Sequence, residues 1–118
     1  MSKTIQTQSL YRLFQALLVE MDRDMPITIP LAFLRIAAAG DEGLDQETLQ
    51  KDLAASSSGI TRTTQTLSDR HYLKEREGLR LIERVMDPQD LRRRTLRLTP
   101  KGEKLIAKCI EVVYRGTK

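Results

Sequence analysis

Arginine is the residue that this sequence concentrates. Arg92, Arg93 and Arg94 are consecutive and Arg97 follows, which places four guanidinium groups within six residues. Asp87 and Asp90 beside them neutralise only part of that charge. A run of phosphates or a narrow minor groove would supply the rest. A second group is polar and contains no acid: Ser56, Ser57, Ser58, Thr61, Arg62, Gln65 and Thr66. At helical spacing these residues suit phosphates and base edges alike. Arg62 could make a paired contact with guanine, and Gln65 one with adenine. The small residues at positions 56–59 would leave the backbone N–H groups of a helix start open to a phosphate. Each group by itself is also compatible with a solvated surface.

Enzyme chemistry finds no such grouping. His71 and Cys109 are single copies far apart in the chain, so neither a His–Cys metal set nor an intrachain disulfide is available. Asp87 and Asp90 have the spacing of a carboxylate pair, but Pro88 between them makes them turn formers first. No phosphate loop or nucleophile–base pair is visible. The expectation is a protein that is not an enzyme, with no catalytic residue, metal or cofactor.

The elements that must position the two groups come from a chain of 118 residues, 40% apolar and 4% aromatic. That length is one domain with a core of Leu, Ile, Val and Ala. The charge is divided unevenly. Residues 1–90 carry 11 Lys/Arg against 14 Asp/Glu, and residues 91–118 carry 9 against 2. This division points to one face that meets a polyanion, although a solvated basic helix would carry the same charge. The most membrane-like stretch, 27–39, is too short to span a bilayer and contains Arg35. No signal peptide is apparent. The expected setting is reducing and cytoplasmic, without a membrane partner.

Periodicity predicts a first helix over 9–21, with Leu10, Leu13, Phe14, Leu17, Leu18 and Met21 as its apolar stripe. After a loop with Pro26 and Pro30, Thr28 is expected to cap a second helix. That helix runs to about Ala39, with Leu31, Leu34 and Ala38 along one side and Phe33 and Ala37 beside them. A turn over 40–44 leads to Asp45 as N-cap of a third helix with Leu49 and Leu53 as its buried pair. Ser56 caps a fourth helix reaching about Arg70, with Ile60, Thr64 and Leu67 inward. Residues 79–86 alternate as a strand, 87–90 form a turn, and 94–98 return with Leu96 and Leu98 facing in. Thr99 caps a last helix with Pro100 at its first position. Leu105, Ile106, Cys109, Ile110, Val112 and Val113 give that helix its apolar face.

Helix, helix, turn, helix and basic hairpin in this order make a winged helix. The fold class is therefore mainly α with a small β-hairpin, a winged helix-turn-helix with flanking helices, which the resemblance described below makes dimerisation helices. Its fourth helix is narrow enough to enter a major groove. The same fold could instead serve as a protein-docking module without DNA readout.

The stretch Asp87-Pro88-Gln89-Asp90-Leu91-Arg92-Arg93, followed by Leu96 and Leu98-Thr99-Pro100-Lys101-Gly102, resembles the wing of the MarR-type winged-helix transcriptional regulators. That family's pattern is D-P-x-D-x-R, then L-T-x-x-G. Residues 49–67 resemble its helix-turn-helix, with Ser56, Ile60, Thr61, Arg62 and Leu67 at matching places. The resemblance implies one winged-helix domain over 1–118, with a DNA-binding core at about 25–104 and flanking helices at 5–22 and 100–116. It implies a cytoplasmic regulator of transcription, a repressor by expectation, that binds double-stranded DNA sequence-specifically. Ser57, Ser58, Thr61, Arg62 and Gln65 would face the major groove, with Ser56 at the helix start completing the DNA-binding set. Arg92, helped by Arg93 and Arg94, would face the minor groove, and Asp90 would orient the wing by pairing with an arginine.

The resemblance further implies a homodimer through Leu10, Leu13, Phe14, Leu17, Leu105, Cys109, Val112 and Val113, with Cys109 a buried thiol rather than a redox sensor. It admits a small-molecule effector as a further partner. The sequence departs from the family in a longer link near 72–77, in a last helix ending by about Arg115, and in Leu91, where a basic residue is usual.

Overall fold

The computed structural model describes residues 3–21, 24–69 and 77–115. The expected end of the fourth helix at Arg70, the single His71, residues 72–76 of the lengthened link and the outermost ends of both flanking helices lie outside that set. Among the described residues, five helices and a three-stranded antiparallel sheet follow one another as α1 (Lys3–Glu20), α2 (Thr28–Ala38), β1 (Leu44–Asp45), α3 (Gln46–Asp52), α4 (Ser57–Leu67), β2 (Ile82–Met86), β3 (Arg94–Leu98) and α5 (Pro100–Arg115). A short 3-10 turn at Gly40–Glu42 precedes β1. The chain divides into two compact units, Pro26–Glu103 and the two chain ends.

In the unit Pro26–Glu103, three helices pack on a sheet of order β1-β3-β2. Its core is Ile29, Ala32, Phe33 and Ile36 from α2, Leu49 from α3, Ile60 and Leu67 from α4, and Leu44, Leu81, Ile82 and Leu96 from the sheet and its approach. Leu49, unlike its expected partner Leu53, is fully buried. The hairpin register sets Ile82 opposite Leu98 and Met86 opposite Arg94.

Several local expectations are overturned by packing. The helix α2 turns Ile29, Ala32, Phe33 and Ile36 inward, and leaves Leu31 and Ala38 exposed. Its N-cap is Ile27, without a side-chain hydrogen bond, so Thr28 does not cap it. The turn expected over 40–44 ends in a strand, because Leu44 and Asp45 pair with Leu96 and Thr95 of β3. Gly43 makes that approach possible: its φ is +82°, and a Cβ there would lie 2.7 Å from Thr95 Cγ2.

The strand expected from position 79 starts only at Ile82. The amides of Leu79, Arg80 and Leu81 donate instead to the carbonyls of Thr66, Ser68 and Leu67, at 2.8, 2.6 and 2.8 Å. They satisfy the open C-terminal carbonyls of α4, and Arg80 adopts φ +58° to do so. The α3–α4 link closes similarly. Ala54 takes φ +50°, while its amide and that of Ala55 return to the carbonyls of Lys51 and Gln50. This is a Schellman turn with alanine where glycine is usual.

In the unit of the chain ends, α1 begins at Lys3, earlier than periodicity suggested. Ser9, Ala16 and Leu17 are buried, whereas Leu10, Phe14 and Leu18 of the expected stripe are exposed. In α5, Leu105 and Cys109 are buried and Ile110 is exposed. Lys108 Nζ reaches Glu20 Oε1 at 3.0 Å.

Candidate nucleic-acid interface

The first part of the site is α4. Its start is fixed by Ser56, whose Oγ accepts the amide of Gly59 at 3.0 Å, as its sequence position requires of an N-cap. Its inner face is Ile60, Thr63, Thr64, Thr66 and Leu67. Thr66 was expected to face outward but is buried, and its hydroxyl donates to the Arg62 carbonyl at 2.9 Å. Thr64, fully buried, donates to the Ile60 carbonyl at 3.0 Å. These local bonds let a threonine-rich helix seat itself in an apolar core without orphaned hydroxyls.

What remains outward is Ser57, Ser58 and Arg62, all exposed, with Thr61 and Gln65 half-buried. Ser58, Thr61, Arg62 and Gln65 follow i, i+3, i+4, i+7 and form one stripe. At 1.5 Å per residue it is about 10 Å long, the rise of about three base pairs. Thr61 already donates its hydroxyl hydrogen to the Ser57 carbonyl at 2.9 Å. It therefore offers an acceptor and a methyl outward, which suits base edges better than phosphates.

The second part is the wing tip between β2 and β3. Asp87 Oδ1 accepts the amide of Gln89 at 2.8 Å, and Asp90 Oδ1 accepts that of Arg92 at 3.1 Å. Two successive side-chain turns thus shape the tip. The same Asp90 oxygen lies 3.8 Å from Arg92 Nε, and the Arg92 side chain is 96% exposed. Arg93 reaches back to Asp45, Nε to Oδ1 at 3.6 Å. Asp45 stands at the N-cap position of α3, yet its side chain makes no cap hydrogen bond. The carboxylate goes to Arg93 instead, a pairing that no local motif could announce. Arg94 folds inward and donates Nη1 to the Leu91 carbonyl at 2.6 Å. Arg97 is exposed on β3, and Leu91 is an exposed apolar residue at the tip.

The wing is anchored where the L-T-x-x-G stretch lies. Thr99 Oγ1 accepts the amide of Gly102 at 3.1 Å and donates to the Arg80 carbonyl at 2.7 Å. A Cβ on Gly102 would fall 2.1 Å from the Leu81 carbonyl oxygen. The motif therefore records a helix cap and a backbone contact that only glycine permits.

Of the residues expected at a dimer seam, Leu10 and Phe14 are exposed, and Leu13, Val112 and Val113 are half-buried. Leu17, Leu105 and Cys109 are already buried within one chain, so their burial needs no partner. Burial pushes the Cys109 thiol pKa up, with Lys108 opposing and Glu20 reinforcing the shift. Among the described residues no three His, Cys, Asp or Glu side chains are grouped to hold a metal, and no helix is long and apolar enough to cross a membrane.

No protein-family model and no curated protein matches the chain. Solved structures do. The crystal structure of MarR is 24% identical, with a TM-score of 0.61, over 98% of this chain and 77% of that one. The S. aureus MepR–DNA complex is 23% identical, with a TM-score of 0.68, over 96% and 75%. The PcaV transcriptional regulator from Streptomyces coelicolor, in complex with its natural ligand, is 28% identical, with a TM-score of 0.54, over 92% and 72%. With its capped helix α4, its two-aspartate wing turn and its L-T-x-x-G anchor, the chain has the MarR-type winged-helix fold.

Proposed function

We propose that this protein is a transcription regulator that binds double-stranded DNA sequence-specifically, with α4 in the major groove and the wing in the minor groove. The observation that carries this reading is the outward stripe of Ser58, Thr61, Arg62 and Gln65, free of acids, on a helix whose other face is locked into the core. The wing adds Arg92 and Arg93, held by single carboxylates that a phosphate can replace. Ser56 shapes the helix start, and Asp90 shapes the tip. Arg94 acts by holding the wing backbone. MepR, of the same fold, has been solved on DNA, which supports the assignment.

The reading extends to a homodimer, because α1 exposes Leu10 and Phe14 and α5 exposes Ile110. An inverted repeat with half-site centres about 10 base pairs apart is then expected. A small-molecule effector fits the reading, since PcaV was solved with its natural ligand. The solved neighbours are regulators, which supports a binding protein rather than an enzyme. Repression is the expected mode and the cytoplasm the expected compartment, where a regulator of this kind meets its DNA.

Selection of bound duplexes from a random DNA pool tests the function. Enrichment of an inverted repeat is the expected result. A folded protein that enriches no sequence would refute specific readout and favour the protein-docking role of the same fold.

A further inference from the structure

The wing tip carries one side chain that neither the core nor a charge pair uses. Apart from Pro88, Leu91 is the one apolar residue of the stretch 87–94, and it is 66% exposed. A single exposed leucine is ordinary on a protein surface. What distinguishes this one is how it is held. Its carbonyl accepts Arg94 Nη1 at 2.6 Å. Before it, the Asp90 amide donates to the Asp87 carbonyl at 3.2 Å. After it, the Arg92 amide donates to Asp90 Oδ1 at 3.1 Å and the Arg93 amide to the Asp90 carbonyl at 3.0 Å. The backbone on both sides of Leu91 is therefore pinned, so little ordering is left to do when the side chain meets a partner. The next side chain, Arg92, is 96% exposed. The tip thus presents an aliphatic group and a guanidinium at successive positions of a fixed turn.

What such a pair does to DNA follows from the floor of the minor groove, and this step rests on the placement of the wing there proposed above. The groove is about 6 Å wide and about 7.5 Å deep, room for single side chains. At an A·T pair its floor offers two acceptors, adenine N3 and thymine O2, with the apolar C2–H of adenine between them. A G·C pair puts the guanine N2 amino donor in that central place. Arg92 has donors for the acceptors of either floor. An aliphatic group packs on the C2–H edge without loss. Over guanine it covers the amino group and offers it no acceptor, which leaves a desolvated donor unpaired. Apolar side chains do enter minor grooves when a protein presents them rigidly beside cations.

We propose that Leu91 is a specificity-determining residue, which selects against guanine on either strand at the base pair under the wing tip. Arg92 and Leu91 then divide the work. Arg92 responds to the negative potential of a narrow groove, which several successive base pairs set together. Leu91 responds to one amino group, so its effect is confined to the base pair it covers.

The test takes a duplex enriched from the random pool and replaces each base pair flanking the half-sites in turn by A·T, G·C or inosine·C. Inosine lacks the N2 amino group, so inosine·C keeps the major-groove face of G·C and takes the minor-groove face of A·T. Affinities are read by fluorescence anisotropy. At one flanking position of each half-site, the wild type should bind A·T and inosine·C within about twofold of each other. It should bind G·C at least about fivefold more weakly, the lower end of what one wrong base pair costs. Leu91→Ala should cut that penalty to under about twofold. Leu91→Gln brings an acceptor for the amino group and should abolish or reverse it. Thermal melts establish folding of both variants, and the inosine comparison needs no variant at all. A penalty that inosine·C shares with G·C, no penalty at any flanking position, or a penalty unchanged in folded Leu91→Ala would overturn the inference while specific binding stands. A wild type that binds no duplex specifically would overturn the DNA-binding reading and this inference with it.

Discussion

Salt dependence separates the three wing arginines, because the structure places them differently. The Arg92 side chain is 96% exposed and 3.8 Å from one carboxylate oxygen, and Arg93 is 58% exposed and 3.6 Å from Asp45. Solvent screening leaves such pairs weak, so a phosphate can displace either carboxylate with little loss. Arg94 instead holds backbone carbonyls. Each phosphate neutralised contributes roughly 0.9 to the slope of log affinity against log salt. Arg92→Ala and Arg93→Ala should each flatten that slope by about 0.9 and the double variant by about 1.8, if each meets one phosphate. Between 50 and 200 mM salt, one such contact changes affinity by about 3.5-fold. Arg94→Ala should flatten it by less than half as much as either single variant. The assay is fluorescence anisotropy on selected and random duplexes across that salt range, with thermal melts to establish folding. An unchanged slope in the folded double variant would refute the wing's contact with phosphates. A full loss of slope in Arg94→Ala would refute its inward assignment.

Arg62→Ala should remove about 1–3 kcal/mol of discrimination at one position of each half-site, measured by competition with single-base variants; equal weakening on random DNA would make Arg62 a phosphate contact. Ala54→Gly relieves a left-handed alanine at the α3–α4 link and should raise stability by up to about 1 kcal/mol, or about 4 °C in Tm; a lower Tm would refute the strain. Phe14→Glu, at a position 52% exposed, should yield a folded monomer by analytical ultracentrifugation, and a retained dimer would count against that face. Leu17→Glu should unfold the chain-end helices themselves, because Leu17 is 1% exposed and its charge would be buried unpaired. Cys109, 1% exposed and with its thiol pKa raised by burial, should react with an aromatic disulfide only slowly until denaturant is added; rapid labelling of the native protein would refute its burial.

What the sequence determined by itself are the features closed by bonds a few residues long. Ser56 and Thr99 cap their helices across three residues. Asp87 and Asp90 each fold the wing tip across two. Such bonds depend on residue type and spacing alone, which is why both caps, the turn and strand β3 were legible. The outward stripe of α4 was legible for the same reason, since the helical period fixes which residues oppose Ile60 and Leu67.

The tertiary structure decided the rest. Leu44 and Asp45 are a strand only because β3 offers them a free edge, and two residues carry no period of their own. The inward face of α2 was chosen among competing apolar rows by what Phe33 and Ile36 can pack against. Thr66 is buried because its hydroxyl finds the Arg62 carbonyl, which cancels the polarity that had placed it outside. Asp45 reads as a helix cap until Arg93, brought near by the β1–β3 pairing, takes its carboxylate. Arg84 looks like any alternate residue of a hairpin, and only the register that sets it beside Arg94 under the end of α4 leaves its Nε buried without an acceptor. Apart from the Thr66 hydroxyl, whose acceptor is one helical turn away, each of these turns on a partner distant in the chain, and the identity of such a partner is set by packing rather than by spacing.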